Sequence, residues 1–187
     1  MKDLALAAMA QWMDQVAGAD RLAAFEALMR QHERLVLVTA LRLLGNLADA
    51  QDASQEVFLR LYRNLGKVDA ERALPAWLYR VTVNVCHDAR RRRRELSPME
   101  DAAEVAAAGA DPQQSTTEAE RRRVLQMSLR MLSEKERAAM VLRDLEGLST
   151  EEVAHALGSS EATVRSQISK ARVKVKDYVE RYFRRRK

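Results

Sequence analysis

The 187-residue chain is 32% charged and only 5% aromatic, with six Gly and three Pro, a composition that suits a helical protein and argues against a sheet-rich one. Its length allows one large or two small domains. A net charge of +5 points to an anionic partner, and a single cysteine excludes an intrachain disulfide.

The apolar run Leu4–Ala10 is at the lower limit of length for an export signal and follows Asp3, and its period continues through Trp12, Met13 and Val16. It predicts an amphipathic first helix over 3–17 that stops at Gly18. Asp20 then caps a second helix carrying Phe25, Leu28, Met29, Leu35, Val36, Val38, Leu41 and Leu44, up to Gly45-Asn46. A third helix, about 48–64, has Val57, Phe58, Leu61, Tyr62 and Leu65 on one side and an acidic start at Asp49, Asp52 and Glu56; Gly66 ends it. A loop over 67–74 follows, and Pro75 suits the first turn of a fourth helix reaching Arg94.

That fourth helix has two stripes. Leu78, Val81, Val85 and Ala89 predict a buried one; Arg80, Asn84, His87 and Arg91 form a polar one beside it. Five arginines, Arg90, Arg91, Arg92, Arg93 and Arg94, end the helix, where they favour its negative pole and form an anion site. Trp77 and Tyr79 beside these cations are the parts of a single-strand site, with bases on rings and phosphates on Arg. A core position for Trp77 is the competing reading, and one half-buried ring can serve both. Cys86 in the same helix reads as a small buried hydrophobe.

Residues 95–120 contain seven Asp or Glu and no Lys or Arg, with Pro98, Pro112 and Gln113-Gln-Ser-Thr-Thr117, the composition of a linker. If flexible, its 26 residues reach roughly 26–30 Å root-mean-square. A helix over about 118–131 opens the second module. Ser133 with Glu136 has capping-box spacing, and the helix after it ends at Gly147.

Leu148–Lys176 reads as helix, turn, helix. Ser149 with Glu152 makes another capping box, Gly158 suits a left-handed helix end, and Ser159 or Ser160 can cap the next helix. Val164, Ile168, Ala171 and Val175 form one buried stripe, whereas Arg165, Ser166, Ser169, Lys170 and Arg172 lie off it. Hydroxyls and long cations are the types that meet phosphates and base edges in a major groove. From Ser159 to Lys187 ten Lys or Arg face three Asp or Glu, which favours a helix-turn-helix reader over a helical hairpin with a solvated basic face.

The order of these parts resembles the extracytoplasmic-function (ECF) group of the sigma-70 family, bacterial initiation factors of two domains. The resemblance covers about residues 20–95 and 115–183. Asp49–Arg63 is similar to the family segment that docks on core RNA polymerase, and Pro75–Arg90 to the segment that melts and reads the −10 element. Leu132–Arg137, Gly147–Ala154 and Ala162–Arg172 are similar to the −35 reader.

The resemblance implies an all-α fold of two small helical domains on a flexible acidic linker: 1–95 for core docking and −10 recognition, 96–117 for the linker, 118–187 for the −35 reader. It implies polymerase contacts at Asp49, Asp52, Gln55 and Glu56. Asn84 would hold an extruded −10 base, with Trp77, Tyr79, Arg80, His87 and Arg90–Arg94 on the melted strand. Arg165, Ser166, Ser169, Lys170 and Arg172 would meet the −35 duplex. The implied partners are the β′ clamp and β flap of core RNA polymerase, promoter DNA as duplex and single strand, and an anti-sigma factor, with a monomer when free of them. Departures leave the promoter sequence open: Gln167 stands where a second Arg is frequent, Ser169 is small, and the 67–74 loop lacks a frequent Phe-Arg-Gly.

Competing readings are a stand-alone helix-turn-helix regulator, which leaves the acidic and Trp77–Arg94 stretches without a role, and an enzyme. The sequence holds no catalytic triad, phosphate loop or paired carboxylates, and His32, His87 and His155 are far apart, so neither enzymatic chemistry nor a cofactor or metal is expected. No run approaches the ~20 apolar residues of a membrane span. A cytoplasmic protein without membrane insertion is the expectation.

Overall fold

The computed structural model describes residues 2–65, 74–96 and 117–185, with side chains from 21 to 65, 74 to 95 and 117 to 185. The expected 67–74 loop and most of the linker lie outside these residues, as do the side chains of the first apolar stretch. Three helices build the first module: α1 (Lys2–Leu44), α2 (Leu47–Asn64) and α3 (Leu74–Leu96). The second contains α4 (Thr117–Arg130), α5 (Glu134–Met140), a π-helical turn (Val141–Leu145), α6 (Thr150–Leu157) and α7 (Glu161–Arg184).

One expectation fails at the start. The backbone is helical without a break through Gly18 and Asp20. A single Gly costs a helix only about 1 kcal/mol, and alanines at 17, 19, 23 and 24 propagate the helix on either side. The break comes at Gly45, which adopts φ +89°, and Asn46 then caps α2 by accepting the Asp49 N–H at 2.8 Å.

Val36, Ala40 and Leu43 of α1, Val57 and Leu61 of α2, and Leu74, Leu78 and Val85 of α3 form the first module's core. Each fully buried Val or Leu among them contributes about 1.5–3 kcal/mol before conformational entropy is subtracted. Helix α3 departs from its expected single stripe. Tyr79, Thr82, Val83 and Cys86 are buried as well, while Val81 and Ala89 are half-buried. The reason is tertiary: α3 has a second neighbour, α6.

Both expected capping boxes form. Ser133 and Glu136 exchange bonds at α5 (2.9 and 3.4 Å), and Ser149 and Glu152 do so at α6 (2.6 and 3.1 Å). Gly158 ends α6 in the left-handed region, and Ser160 caps α7. Val164, Ile168 and Ala171 of α7 are buried as expected, whereas Val175, the fourth residue of that stripe, is only half-buried. The π-helical turn was not legible: Glu146 N–H bonds Val141 O at 3.0 Å, five residues back. The modules share one hydrophobic cluster, in which Leu129, Ala138, Met140 and Leu142 join the residues of α1 and α3.

Candidate nucleic-acid and polymerase interfaces

The predicted site residues fall on three surfaces. On the first, a groove of about 670 Å³ runs between α1 and α2. Phe25, Met29, Leu37, Phe58 and Leu59 give it an apolar floor, with Glu33, Asp52 and Gln55 on its rim. Leu59 is 51% exposed, whereas Val57, Phe58 and Leu61 of the same helix turn inward. Phe25 meets Tyr62 edge to face at 5.2 Å, and the Arg21 guanidinium lies over the Tyr62 ring at the same distance. Asp52 and Gln55 are exposed, and Glu56 pairs with Arg60 one turn on, at 2.8 Å. Asp49 sits differently: it accepts from Asn46 at 2.6 Å and pairs with Arg93 at 3.0 Å, tying α2 to α3. Sequence reasoning found the acidic rim and missed the floor, whose one signal is Leu59 standing off the buried stripe.

The second surface is α3. Arg80 and Asn84 are exposed, Trp77 is half-buried against the core, and Tyr79 is 8% exposed with its hydroxyl donating to Glu146 at 3.3 Å. Burial, reinforced by Glu146, pushes the Tyr79 pKa up to about 12, so the ring is a neutral donor fixed between the modules. In this arrangement Tyr79 is therefore not at the surface where a single-strand site would need it. Cys86 is 1% exposed and burial raises its thiol to about 12, the inert hydrophobe expected.

The arginine run divides its work. Arg90 and Arg94, one turn apart, straddle Glu134 of α5 at 3.7 and 3.0 Å; Arg93 holds Asp49. Arg91 and Arg92 are exposed, with weak local contacts to Asp88 and Glu95. Asn84 and His87 line a cleft of about 260 Å³ whose far wall is the second module: Lys135, Leu157, Gly158, Ser159, Thr163 and Gln167. Burial lowers the His87 pKa, so the imidazole is neutral at pH 7.

The third surface is the outer side of α7. Arg165, Ser166, Ser169 and Lys170 are all exposed, the array a major groove can receive. Arg165 pairs with Glu161 at 2.9 Å, an exposed helical pair worth only a few tenths of a kcal/mol and easily exchanged for a phosphate or base. Arg172 is committed elsewhere. It forms a two-pronged bond with Asp144 of the π-helical turn at 2.9 and 2.6 Å, which raises its pKa. Lys174 likewise bonds both oxygens of Glu136 at 2.8 Å, holding that carboxyl below its usual range. These two cations seat α7 on the module.

Two family models match the chain: sigma-70 region 2 over residues 28–95 and sigma-70 region 4 over residues 122–175. The chain is 35% identical over 154 residues to the ECF RNA polymerase sigma factor SigM of Mycobacterium tuberculosis, spanning 81% of this chain and 75% of that protein. It is 31% identical over 172 residues to the RNA polymerase sigma-H factor of Pseudomonas aeruginosa (87% and 89%), and 37% over 161 residues to the ECF sigma factor SigE of Mycolicibacterium smegmatis (84% and 62%). Among solved structures, CnrH in complex with the cytosolic domain of CnrY superposes with TM-score 0.61 at 27% identity, covering 89% of this chain and 97% of that one. RpoE of Bartonella quintana, bound to the anti-sigma factor NepR, has the same fold, with TM-score 0.66 at 20% identity over 84% and 97%.

Proposed function

Because the chain belongs to the ECF group of the sigma-70 family, we propose that it is an alternative sigma factor, which binds core RNA polymerase and directs initiation at promoters it selects through their −10 and −35 elements. The observation that carries this reading is the pairing in one chain of an acidic-rimmed apolar groove with an outward-facing, cationic α7. The groove suits a helical partner with an apolar ridge and basic flanks, the role assigned to the polymerase clamp. Asp52, Gln55 and Glu56 would contact it directly, and Asp49 would act by fixing the start of α2.

On this reading Arg165, Ser166, Ser169 and Lys170 meet the −35 duplex, with Arg172 positioning the helix. Asn84 offers a donor and acceptors to an extruded −10 base, with Arg80, Arg91 and Arg92 on the strand and Trp77 beside it. The protein selects and opens DNA and performs no chemistry of its own. An anti-sigma factor would control it, as the complexes of RpoE with NepR and of CnrH with CnrY suggest by analogy. No helix among the described residues is long and apolar enough to cross a membrane, which agrees with a cytoplasmic place of action.

Co-elution with core RNA polymerase tests the reading. Wild type should co-elute, and the double reversal Asp52→Lys/Glu56→Lys should lose binding while keeping its helical circular dichroism. Wild-type protein that binds duplex DNA but not core polymerase would transfer the reading to the stand-alone regulator.

A further inference from the structure

Contacts to DNA phosphates hold a protein on any duplex alike and carry no sequence information. A reading helix therefore discriminates better when a cation able to reach a phosphate is kept from it. Helix α7 carries Arg165, Ser169 and Arg172 at i, i+4 and i+7, one stripe on its outer side. The two cations of that stripe are held very differently. Arg165 pairs with Glu161 of its own helix, and the two side chains are 63% and 47% exposed. Arg172 is 59% exposed, but its guanidinium donates to both oxygens of Asp144, at 2.9 and 2.6 Å, and that carboxylate is only 20% exposed. A two-pronged bond between charged groups is about twice as strong as a neutral one and is not exchanged as readily as the Arg165 pair.

Asp144 meets α7 from the π-helical turn, 28 residues earlier in the chain. The turn spends five residues where an α-turn spends four, so the side chains at its end stand off the α-helical register. Glu136 holds Lys174 in a comparable way, but it also closes the capping box at Ser133 and so belongs to the start of α5. Among the described residues the Asp144 side chain bonds Arg172 and nothing else.

We propose that Asp144 is a specificity-determining residue, which withholds the Arg172 guanidinium from the DNA backbone. The role rests on the reading of α7 as the −35 helix. With Arg172 withheld, α7 engages a duplex through Arg165, Ser166, Ser169 and Lys170, with one sequence-independent contact fewer. The contact forgone would strengthen binding to every sequence equally, and non-target sites vastly outnumber targets. Asp144→Asn keeps the shape of the side chain and one acceptor but removes its charge, which frees the guanidinium for a phosphate.

A salt series with the full-length protein and a short duplex of mixed sequence, read by fluorescence anisotropy, tests this. Each phosphate neutralised steepens the fall of log affinity with log salt by about 0.9, or about eightfold over a tenfold range of salt. Asp144→Asn should steepen the slope by that amount. In the Arg172→Ala background the same change should leave the slope where Arg172→Ala alone puts it. A slope that Asp144→Asn does not change overturns the role. So does one that steepens equally without Arg172, because relief of repulsion by the Asp144 charge then accounts for the gain. A slope flattened by about 0.9 in Arg172→Ala alone also overturns it, since the guanidinium would already lie on a phosphate; that outcome needs no Asp144 variant. Arg165→Ala separates this role from the reading beneath it. It should flatten the slope; if it does not, the duplex lies elsewhere and both fall. If it does while Asp144→Asn changes nothing, the role of Asp144 alone falls.

Discussion

The two helices proposed to read DNA are built alike and placed oppositely. Both α3 and α7 are long and basic, with a buried stripe beside a polar one. Helix α7 has its neighbours on one side, so Arg165, Ser166, Ser169 and Lys170 face solvent. Helix α3 has neighbours on two, and the second is the helix-turn-helix itself. Tyr79, Arg90 and Arg94 are consequently occupied by Glu146 and Glu134, and Asn84 opens into a cleft walled by the other module. A polar stripe marks a surface able to bind. Whether it is free to bind depends on what is docked beside it.

The residue on which this contrast depends most is Arg137, 3% exposed, whose guanidinium donates to the carbonyls of Leu129 (2.7 Å), Leu43 (3.0 Å), Arg130 (3.2 Å) and Leu132 (3.0 Å). These carbonyls cluster at the ends of α4 and α1, whose negative poles balance the buried charge. Arg137→Ala removes the guanidinium from all four, of which Leu129 O keeps the Leu132 N–H and Leu43 O keeps Arg90, and should destabilise the protein by about 3 kcal/mol. Arg137→Lys should recover little, because an ammonium cannot span the fork. Urea unfolding reads both; a loss under half a kcal/mol for the alanine variant would show that water replaces the guanidinium.

A smaller and more selective effect separates the two helices directly. In the free protein, Arg165→Ala should weaken duplex binding by about 1–3 kcal/mol, whereas Asn84→Ala should leave it unchanged. On core polymerase the order should reverse for strand opening, with Asn84→Ala lowering permanganate reactivity of the −10 region. Equal effects of Asn84→Ala in both settings would mean that α3 is never covered.

The smallest expected effect is a pH dependence. His87 faces Glu134, Asp88, Arg90 and Lys135, and burial is the largest influence on it, holding its folded pKa below 6.5. A neutral imidazole carries no penalty above pH 6.5. Below that value the unfolded state takes up the proton first, so stability falls as pH falls towards the lowered pKa and no further beneath it. The urea midpoint should therefore drop slightly between pH 7 and pH 5, and His87→Gln should flatten the slope.

Much of this molecule is written locally. The caps at Ser133 and Ser149, the left-handed Gly158, the choice of Ser160 from the pair at 159 and 160, and the buried stripe of α7 up to Ala171 all depend on residues within a few positions of each other, and they formed as read. Gly18 misled because a glycine only weakens a helix, and the surrounding alanines decide. The acidic rim of the α1–α2 groove could be read from composition along α2, but its floor draws on two helices and could not. Asp49 and Arg172 look like surface groups in the sequence; their partners, Arg93 and Asp144, lie 44 and 28 residues away.

By itself, then, the sequence determined the all-helical class, the helix-turn-helix and the chemical character of both reading faces, because periodicity, capping and charge are properties of short stretches. Only the tertiary structure decided which of those faces is uncovered. Besides the Gly45 N–H and Arg90, the carbonyls at the end of α1 take donors from Gln126, Arg130 and Arg137, some 85 to 94 residues further along the chain. A bond of that span leaves no periodic trace, since nothing in a short stretch records which distant side chain its terminal carbonyls will meet.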